Sequence, residues 1–420
     1  MRRTAPRTTS LVLAAALLGS GGAAVATPGP VPDGPADTRA DHPASSAPRN
    51  GLRVATYNLS LNRAAQGQLV TDLSGGDEQA RTVAEVIQHA RPDIVLLNEF
   101  DHDDAGEAVR LFRENYLETP QGDADAITYP YAFTAPVNTG VPSGFDLNND
   151  GTVGGGDDAL GFGLFPGQYG MVVLSRYPID TRNVRTFQHF LWRDMPGAAL
   201  PTDPSTGEPW YTNEELDVLP LSSKSHWDVP VQVGHRTVHV LAAHPTPPSF
   251  DGAEDRNGRR NHDEIRFWAD YVAGGRTASY IYDDDGGRGG LRRGAPFVIL
   301  GDYNADPADG DSYDGAIHQL LDSRRIQDPR ATSDGAAEAA ALQGGANLTQ
   351  TGDPALDTAD FADTAPGNLR VDYTLPSRNL RIRDAGVFWP AADDPLSRLT
   401  GEYPFPSSDH RLVWVDIRAR

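Results

Sequence analysis

From Leu52 onward the apolar positions fall into short blocks with two spacings. Leu52-Arg53-Val54-Ala55-Thr56-Tyr57 alternates and predicts a strand. Between Gln79 and Ala90, Val83, Val86 and Ile87 recur at helical spacing, and Pro92 closes that segment. Four continuous apolar runs predict buried strands: Asp93-Ile94-Val95-Leu96-Leu97, Met171-Val172-Val173-Leu174, Val238-His239-Val240-Leu241 and Phe297-Val298-Ile299-Leu300. Val371-Asp372-Tyr373-Thr374-Leu375 and Arg411-Leu412-Val413-Trp414-Val415 complete the set, and Glu264 to Val272 predicts a helix carrying Ile265, Trp268, Tyr271 and Val272. Strands and helices mixed in this way predict an α/β layered domain, and no internal repeat is present.

The N-terminus breaks the pattern. Arg2, Arg3 and Arg7 precede the short apolar run Leu11 to Leu18, and Ala24-Val25-Ala26 offers small residues for cleavage. Residues 1–26 are therefore expected to be a secretory signal peptide, too short in its apolar part to span a bilayer, and the general export route fits better than twin-arginine export. Residues 27–50, rich in Pro, Ala, Asp and Ser, predict a flexible linker, which leaves 51–420 for the folded domain. No other stretch has the length of a transmembrane helix.

Composition narrows the setting. A chain of 420 residues has room for a large core, while 43 Gly and 33 Pro against 39% apolar residues imply long ordered loops. With no cysteine, an exported chain must gain stability from core size or bound metal. Bacterial export is expected, and the use of Arg in place of Lys (Lys224 is the one lysine) suggests a GC-rich genome. The net charge is −22, or −25 without the three arginines of residues 1–26. No basic run with interleaved aromatics is present, so a long polyanion such as nucleic acid is disfavoured as a partner. The domain is expected to act as a monomer.

Polar residues recur at or just past the ends of the apolar strands: Asn58, Glu99, His244, Asp302, Asn304, Asp409 and His410, with Asp372 inside a short strand. Ligands gather at strand ends in α/β sheets, so these residues are expected to converge on one pocket. Asn, Asp and Glu oxygens suit a hard cation such as Mg²⁺ or Mn²⁺, which stabilises charge developing on a phosphoryl group. A His beside an Asp takes a proton from water, and a second His supplies one to the leaving oxygen. Any single Asp or Asn at a strand end is more often a turn or cap residue. What raises this set above that reading is its order along the chain.

In order, Thr56-Tyr57-Asn58, Pro92-Asp93-Ile94-Val95-Leu96-Leu97-Asn98-Glu99, Tyr169-Gly170-Met171-Val172-Val173-Leu174-Ser175-Arg176, Ala243-His244, Gly301-Asp302-Tyr303-Asn304, Val371-Asp372-Tyr373 and Ser408-Asp409-His410 resemble the endonuclease/exonuclease/phosphatase (deoxyribonuclease I-like) superfamily. The resemblance spans roughly Leu52 to Ile417. It implies a four-layer α/β sandwich, two mixed β-sheets flanked by helices. It also implies that Glu99 and Asn58 hold the principal metal. Asp302 and Asn304 would surround the phosphate and the attacking water, with Asp302 as metal ligand or base. Asp372 would orient His410, His410 would act as base or phosphate-stabilising group, and Asp409 would be a ligand or partner. His244 falls where the deoxyribonuclease, sphingomyelinase and phosphatase branches carry His, but the carboxylate that pairs with it in deoxyribonuclease I has no counterpart in the sequence.

A second metal site is expected in an insertion. Asp146, Asn148, Asp150 and Asp157 stand at positions 1, 3, 5 and 12 of an EF-hand or dockerin-like calcium loop, with Gly151 at 6 and Thr152 offering its carbonyl. Arg256, Arg259 and Arg260 are weaker candidates for a substrate phosphate, and a solvated helix start is the better reading of that segment. The insertion from Trp192 to Trp227 is expected to pack as a surface loop in preference to forming a lid. The expected activity is metal-dependent phosphoester hydrolysis on a small phosphomonoester or phosphodiester or on a lipid headgroup. An extracellular nuclease is the alternative, and a calcium-stabilised, non-catalytic binding module is the third reading.

Overall fold

The computed structural model of the protein describes residues 51–419. The predicted signal peptide and linker lie outside the described residues. Thirteen strands are described: β1 (Leu52–Leu61), β2 (Ile94–Phe100), β3 (Tyr131–Phe133), β4 (Met171–Ser175), β5 (Arg185–Thr186), β6 (His226–Val233), β7 (Arg236–Ala243), β8 (Phe297–Asp302), β9 (Ala359–Asp360), β10 (Asn368–Leu369), β11 (Asp372–Pro376), β12 (Leu380–Val387) and β13 (Val413–Ala419). They form a six-stranded sheet in the order β12-β13-β1-β2-β4-β3, a five-stranded sheet β11-β8-β7-β6-β5 and a two-stranded ribbon β10-β9. Both large sheets are mixed. β1 runs parallel to β2, and β7 parallel to β8, while their other pairings are antiparallel.

The alternation in β1 explains the layering. Leu52 and Val54 face one way and join Ile94, Leu96 and Val415 against Val229, Val240, Val298 and Leu300 of the second sheet. Ala55, Tyr57 and Leu59 face the other way and pack on Val83, Val86 and Ile87 of helix Glu78–Ala90. That helix opens on Asp77, whose side chain accepts from Ala80 N. On the outer face of the second sheet, Leu241, Ala243 and Ile299 meet Ile265, Trp268 and Tyr271 of helix Arg256–Ala273. The result is helix, sheet, sheet, helix: the four-layer α/β sandwich expected from the sequence. A strand buried on both faces has no polar side to show, which is why its apolar runs are continuous.

The insertion around Trp192 packs as predicted. Trp192 and Trp227 are fully buried, and Trp192 Nε1 donates to Asp263 Oδ2 at 2.7 Å. None of the helices among the described residues is long and apolar enough to cross a membrane.

Candidate active site

The strand ends named above meet at one edge of the sandwich. Asn58 of β1 is paired in register with Asn98, which places Asn58 beside Glu99. In the second sheet Asp302, the last residue of β8, is paired with Asp372, the first of β11. His244 follows β7, and β7 and β8 approach closely there: a Cβ at Gly301 would stand 2.1 Å from Ala243 O. The segment before β13 brings in Ser408, Asp409 and His410 through a bridge from His410 to Ala359.

Asp302 is the hub. Its Oδ2 accepts from Asn58 Nδ2 at 3.1 Å and lies 3.3 Å from His244 Nε2 and 3.7 Å from His410 Nε2. Its Oδ1 accepts from Asn304 N at 2.9 Å. His410 Nδ1 is bound to Asp372 Oδ2 at 2.9 Å, and Thr358 Oγ1 donates to that same oxygen at 2.9 Å. Asn58 Nδ2 also donates to Glu99 Oε1 at 3.1 Å, while Asn62 Nδ2 donates to Glu99 Oε2 at 2.8 Å. Ser60 Oγ donates to Asp409 Oδ1 at 2.7 Å, and Ser408 Oγ donates to Asn58 O at 2.7 Å. His244, Asp302, Asp372 and His410 are all buried.

Burial sets most of the electrostatics. It opposes a charge on His410, but Asp372 and Asp302 more than offset it, and the imidazole is held well above its ordinary value. Asp302 is held below the carboxylate range despite burial, because His410 and His244 face it. Asp372 is pushed up to about 6, first by burial. His244 moves the other way, down to about 4, first by burial and then by the Lys224 ammonium. Its Nδ1 has no hydrogen-bond partner among the described residues. This is the physical counterpart of the missing carboxylate in the sequence: nothing behind the ring favours the charged form.

Glu99 is raised by burial, by Asp409 and then by Asp302. Three acidic groups with oxygen ligands crowd one place and repel one another, and amides stand beside them. This donor set fits a hard divalent cation. Ligand atoms of Asp302, Asp372 and His410 also lie within 4.8 Å of one another. A second such group, Glu85, His89 and Asp123, is already served by a cation, since Arg398 donates to both Glu85 oxygens.

Four residues of the cleft other than glycine have left-handed backbones: Ser60 (φ 49°), Glu99 (φ 55°), Tyr169 (φ 55°) and Asn304 (φ 51°). Ser60 sits where the register of β1 shifts between Asn58 and Leu61. Such conformations cost free energy in L-residues and concentrate where a side chain must be aimed.

Other sequence candidates lie apart from this cluster. In the loop at 146–157 the carboxylates turn onto the loop's own amides. Asp146 accepts from Asp150 N at 3.0 Å and Gly151 N at 2.8 Å, and Asp150 accepts from Thr152 N at 2.8 Å. Asn148 Oδ1 accepts from Asp150 N at 3.0 Å. Asp157, assigned to the twelfth position, is exposed, whereas its neighbour Asp158 is buried and accepts from Leu147 N and Gly154 N. The arginines after His244 have partners elsewhere: Arg256 on Glu254, Arg259 over the Tyr313 ring, and Arg260 on the carbonyls of Leu160, Pro220 and Leu221. A groove of about 1130 Å³ opens at the opposite end of the second sheet, among Arg236, His239, Arg292 and Arg378, and holds none of the candidate residues.

Ser60, Asn62, Thr358 and Lys224 were not singled out as site residues from the sequence. The first two carry a signal, because polar Asn58, Ser60 and Asn62 alternate with Leu59 and Leu61 in the sequence, a spacing that predicts one shared face. Lys224 carries a compositional one, as the one lysine of the chain. Thr358 lies in an irregular loop and has no signal of either kind.

Residues 55–410 match the model of the Endonuclease/Exonuclease/phosphatase family. Similar solved structures include an endonuclease/exonuclease/phosphatase from Beutenbergia cavernae, 18% identical, covering 88% of this chain and 72% of that one, with a TM-score of 0.48. Sphingomyelinase C from Streptomyces griseocarneus is 15% identical, covering 88% and 99%, with a TM-score of 0.43. The human nocturnin catalytic domain with bound sulfate is also 15% identical, covering 88% and 94%, with a TM-score of 0.42. No curated protein matches.

Proposed function

The chain belongs to the endonuclease/exonuclease/phosphatase family, and from that premise we propose that it is a metal-dependent hydrolase acting on a phosphoester by in-line attack of water on phosphorus. The observation that carries this reading is the Asp372–His410–Asp302–His244 chain of contacts beside the Glu99 and Asp409 carboxylates. Glu99, Asn58, Asp302 and Asp409 would hold Mg²⁺ or Mn²⁺. When bound, such an ion neutralises charge on the phosphoryl oxygens and orients the ester.

The protein groups divide the remaining work. Asp302, ionised and fixed by Asn304 N and Asn58 Nδ2, orients the attacking water and accepts its proton. A weakly basic carboxylate suffices where the transition state is loose and little proton transfer has occurred. His410, kept protonated by Asp372, donates from Nε2 to a non-bridging oxygen and balances the charge that oxygen carries. His244, neutral at working pH, contributes a hydrogen bond and not a proton; as the water oxygen bonds to phosphorus the ester P–O bond breaks, and the leaving oxygen takes its proton from solvent.

The substrate class proposed is a small or amphiphilic phosphoester, a phospholipid headgroup included. Two features support it over nucleic acid: the net charge of −22 and the exposed apolar side chains Phe162, Leu164 and Phe250. Phe162 lies tilted beside Tyr169, a residue within the field of Glu99, and Phe250 lies on the loop that leaves His244. Export through residues 1–26 and calcium binding at 146–157 belong to the same proposal.

A panel of aryl phosphate, bis-aryl phosphate, phospholipid and plasmid DNA, with and without chelator, tests it. Metal-dependent turnover of one of the first three is expected. Turnover of plasmid alone would establish the nuclease alternative, and full activity in chelator would overturn the mechanism.

A further inference from the structure

Lys224 stands two residues before β6, whose first residue, His226, is paired with Ala243. The segments carrying Lys224 and His244 are fastened together by one carboxylate. Glu264, 1% exposed, accepts from Ser223 N at 2.7 Å and Ser223 Oγ at 3.2 Å on one side and from Thr246 N at 2.6 Å on the other. Asn138 N donates to Lys224 O at 2.9 Å and fixes the backbone from a third direction. Lys224 is thus held beside His244, and at 6% exposure it is scarcely more open than His244 at 3%.

Its ammonium has no hydrogen bond and no ion pair among the described residues. An ammonium on a residue this enclosed normally has a partner. Glu264 does not need it, since both of its oxygens already have donors. The carboxylates that act on it besides Glu264 are Glu99 and Asp302, both in the cleft. Composition adds a separate argument. Of 36 basic residues, 35 are arginine, yet this position carries lysine. Lysine offers a compact point charge suited to one oxygen, where a guanidinium needs the width of a planar fork.

Resting on the phosphoester reading above, we propose that the Lys224 ammonium binds a non-bridging oxygen of the substrate's phosphoryl group on the His244 side of the cleft. It waits without a protein partner because the substrate supplies one. The same contact holds inorganic phosphate. Arg is expected to replace it poorly, because a planar fork matches a single oxygen less well than a compact ammonium does.

The test uses the Mg²⁺-loaded protein, with Lys224→Met and Lys224→Arg. Calorimetric titration of inorganic phosphate is expected to weaken roughly ten- to a hundredfold in both variants, the range of one hydrogen bond to a charged group. KM for the substrate found in the panel should rise by a similar factor. The Tm of Lys224→Met should stay within a few degrees of wild type, so that weakened phosphate binding is not loss of the fold. Unchanged phosphate affinity in Lys224→Met overturns the proposal. A large fall in Tm with unchanged phosphate affinity overturns it too, and makes Lys224 a counter-charge for Glu264. If the wild type turns over no phosphoester, the functional reading fails by itself, and phosphate titration still decides the role of Lys224.

Discussion

Two sets of acidic residues stand out along the chain, and folding treats them in opposite ways. Asp146, Asp150 and Asp157 are neighbours in sequence. In the folded chain Asp146 and Asp150 satisfy themselves on nearby amides and Asp157 faces solvent. Glu99, Asp302, Asp372 and Asp409 come from four distant segments and are brought together by strand register, and each also has a partner from a remote part of the chain. A local motif can close on itself, so an ion must displace bonds already made there. A cluster assembled by two sheets cannot relax away from its own repulsion, and that repulsion is available for binding a cation or developing charge.

The contrast is broken most directly by removing its centre. His410→Ala or Asp302→Ala is expected to lower kcat by roughly a thousandfold or more, whereas Asp146→Ala should leave kcat within about twofold. Comparable losses from Asp146 would erase the distinction. Asp372→Asn should cost about a hundredfold at neutral pH and leave a diagnostic trace. His410 must stay protonated, so activity falls as pH rises through its elevated value. Removing the adjacent negative charge lowers that value, and the alkaline limb of the pH–rate profile should move to lower pH. A limb that stays in place would assign it to another group.

Metal binding sharpens the comparison next. Asn62 holds the second oxygen of Glu99, so Asn62→Ala should raise the Mg²⁺ concentration for half-maximal rate about tenfold. Calcium titrated into wild type and Asp146→Ala should show weaker binding in the variant, and equal binding in a calorimeter removes calcium from the loop.

A third acidic group gives the smallest effect. Asp357 is buried, its Oδ2 has no partner among the described residues, and burial together with Asp306, Asp309 and Asp353 pushes its carboxyl up to about 8. The folded protein therefore keeps a proton that the unfolded chain releases near pH 4. Its contribution is intact below that value and is lost as pH rises toward 8. Asp357→Asn should flatten the decline of Tm over this window by a few degrees, and parallel Tm curves for the two proteins would contradict it.

Much of this architecture was legible in the chain. The alternation at Leu52 to Tyr57 and the continuous runs at Ile94 and Phe297 announce strands, because pleating turns successive residues to opposite faces; β1 is nevertheless covered on both faces, and its alternation comes from the buried polar residues Arg53, Thr56 and Asn58. The eight candidate residues that cluster were legible for a related reason: each follows or opens such a run. Less could be read between the runs. Thr358 reaches Asp372 from a loop without periodicity, and the role of Lys224 depends on a contact between Glu264 and two remote backbones. Arg256, Arg259 and Arg260 were only weak candidates for a substrate phosphate in sequence, and a carboxylate, a ring and carbonyls nearby take their charges.

The left-handed backbones at Ser60, Glu99, Tyr169 and Asn304 set a limit on how this protein could be hardened against heat. Each holds an L-residue where glycine would rest more easily, at a cost of roughly 1–2 kcal/mol apiece, less for asparagine. A search for thermostable variants would therefore be drawn to glycine at the very positions whose side chains line the cleft. At Glu99 the gain in endurance would come with loss of the carboxylate. Durable versions of this protein should instead take their changes on the far side of the sandwich, where backbone comfort and the aim of these side chains are not in competition.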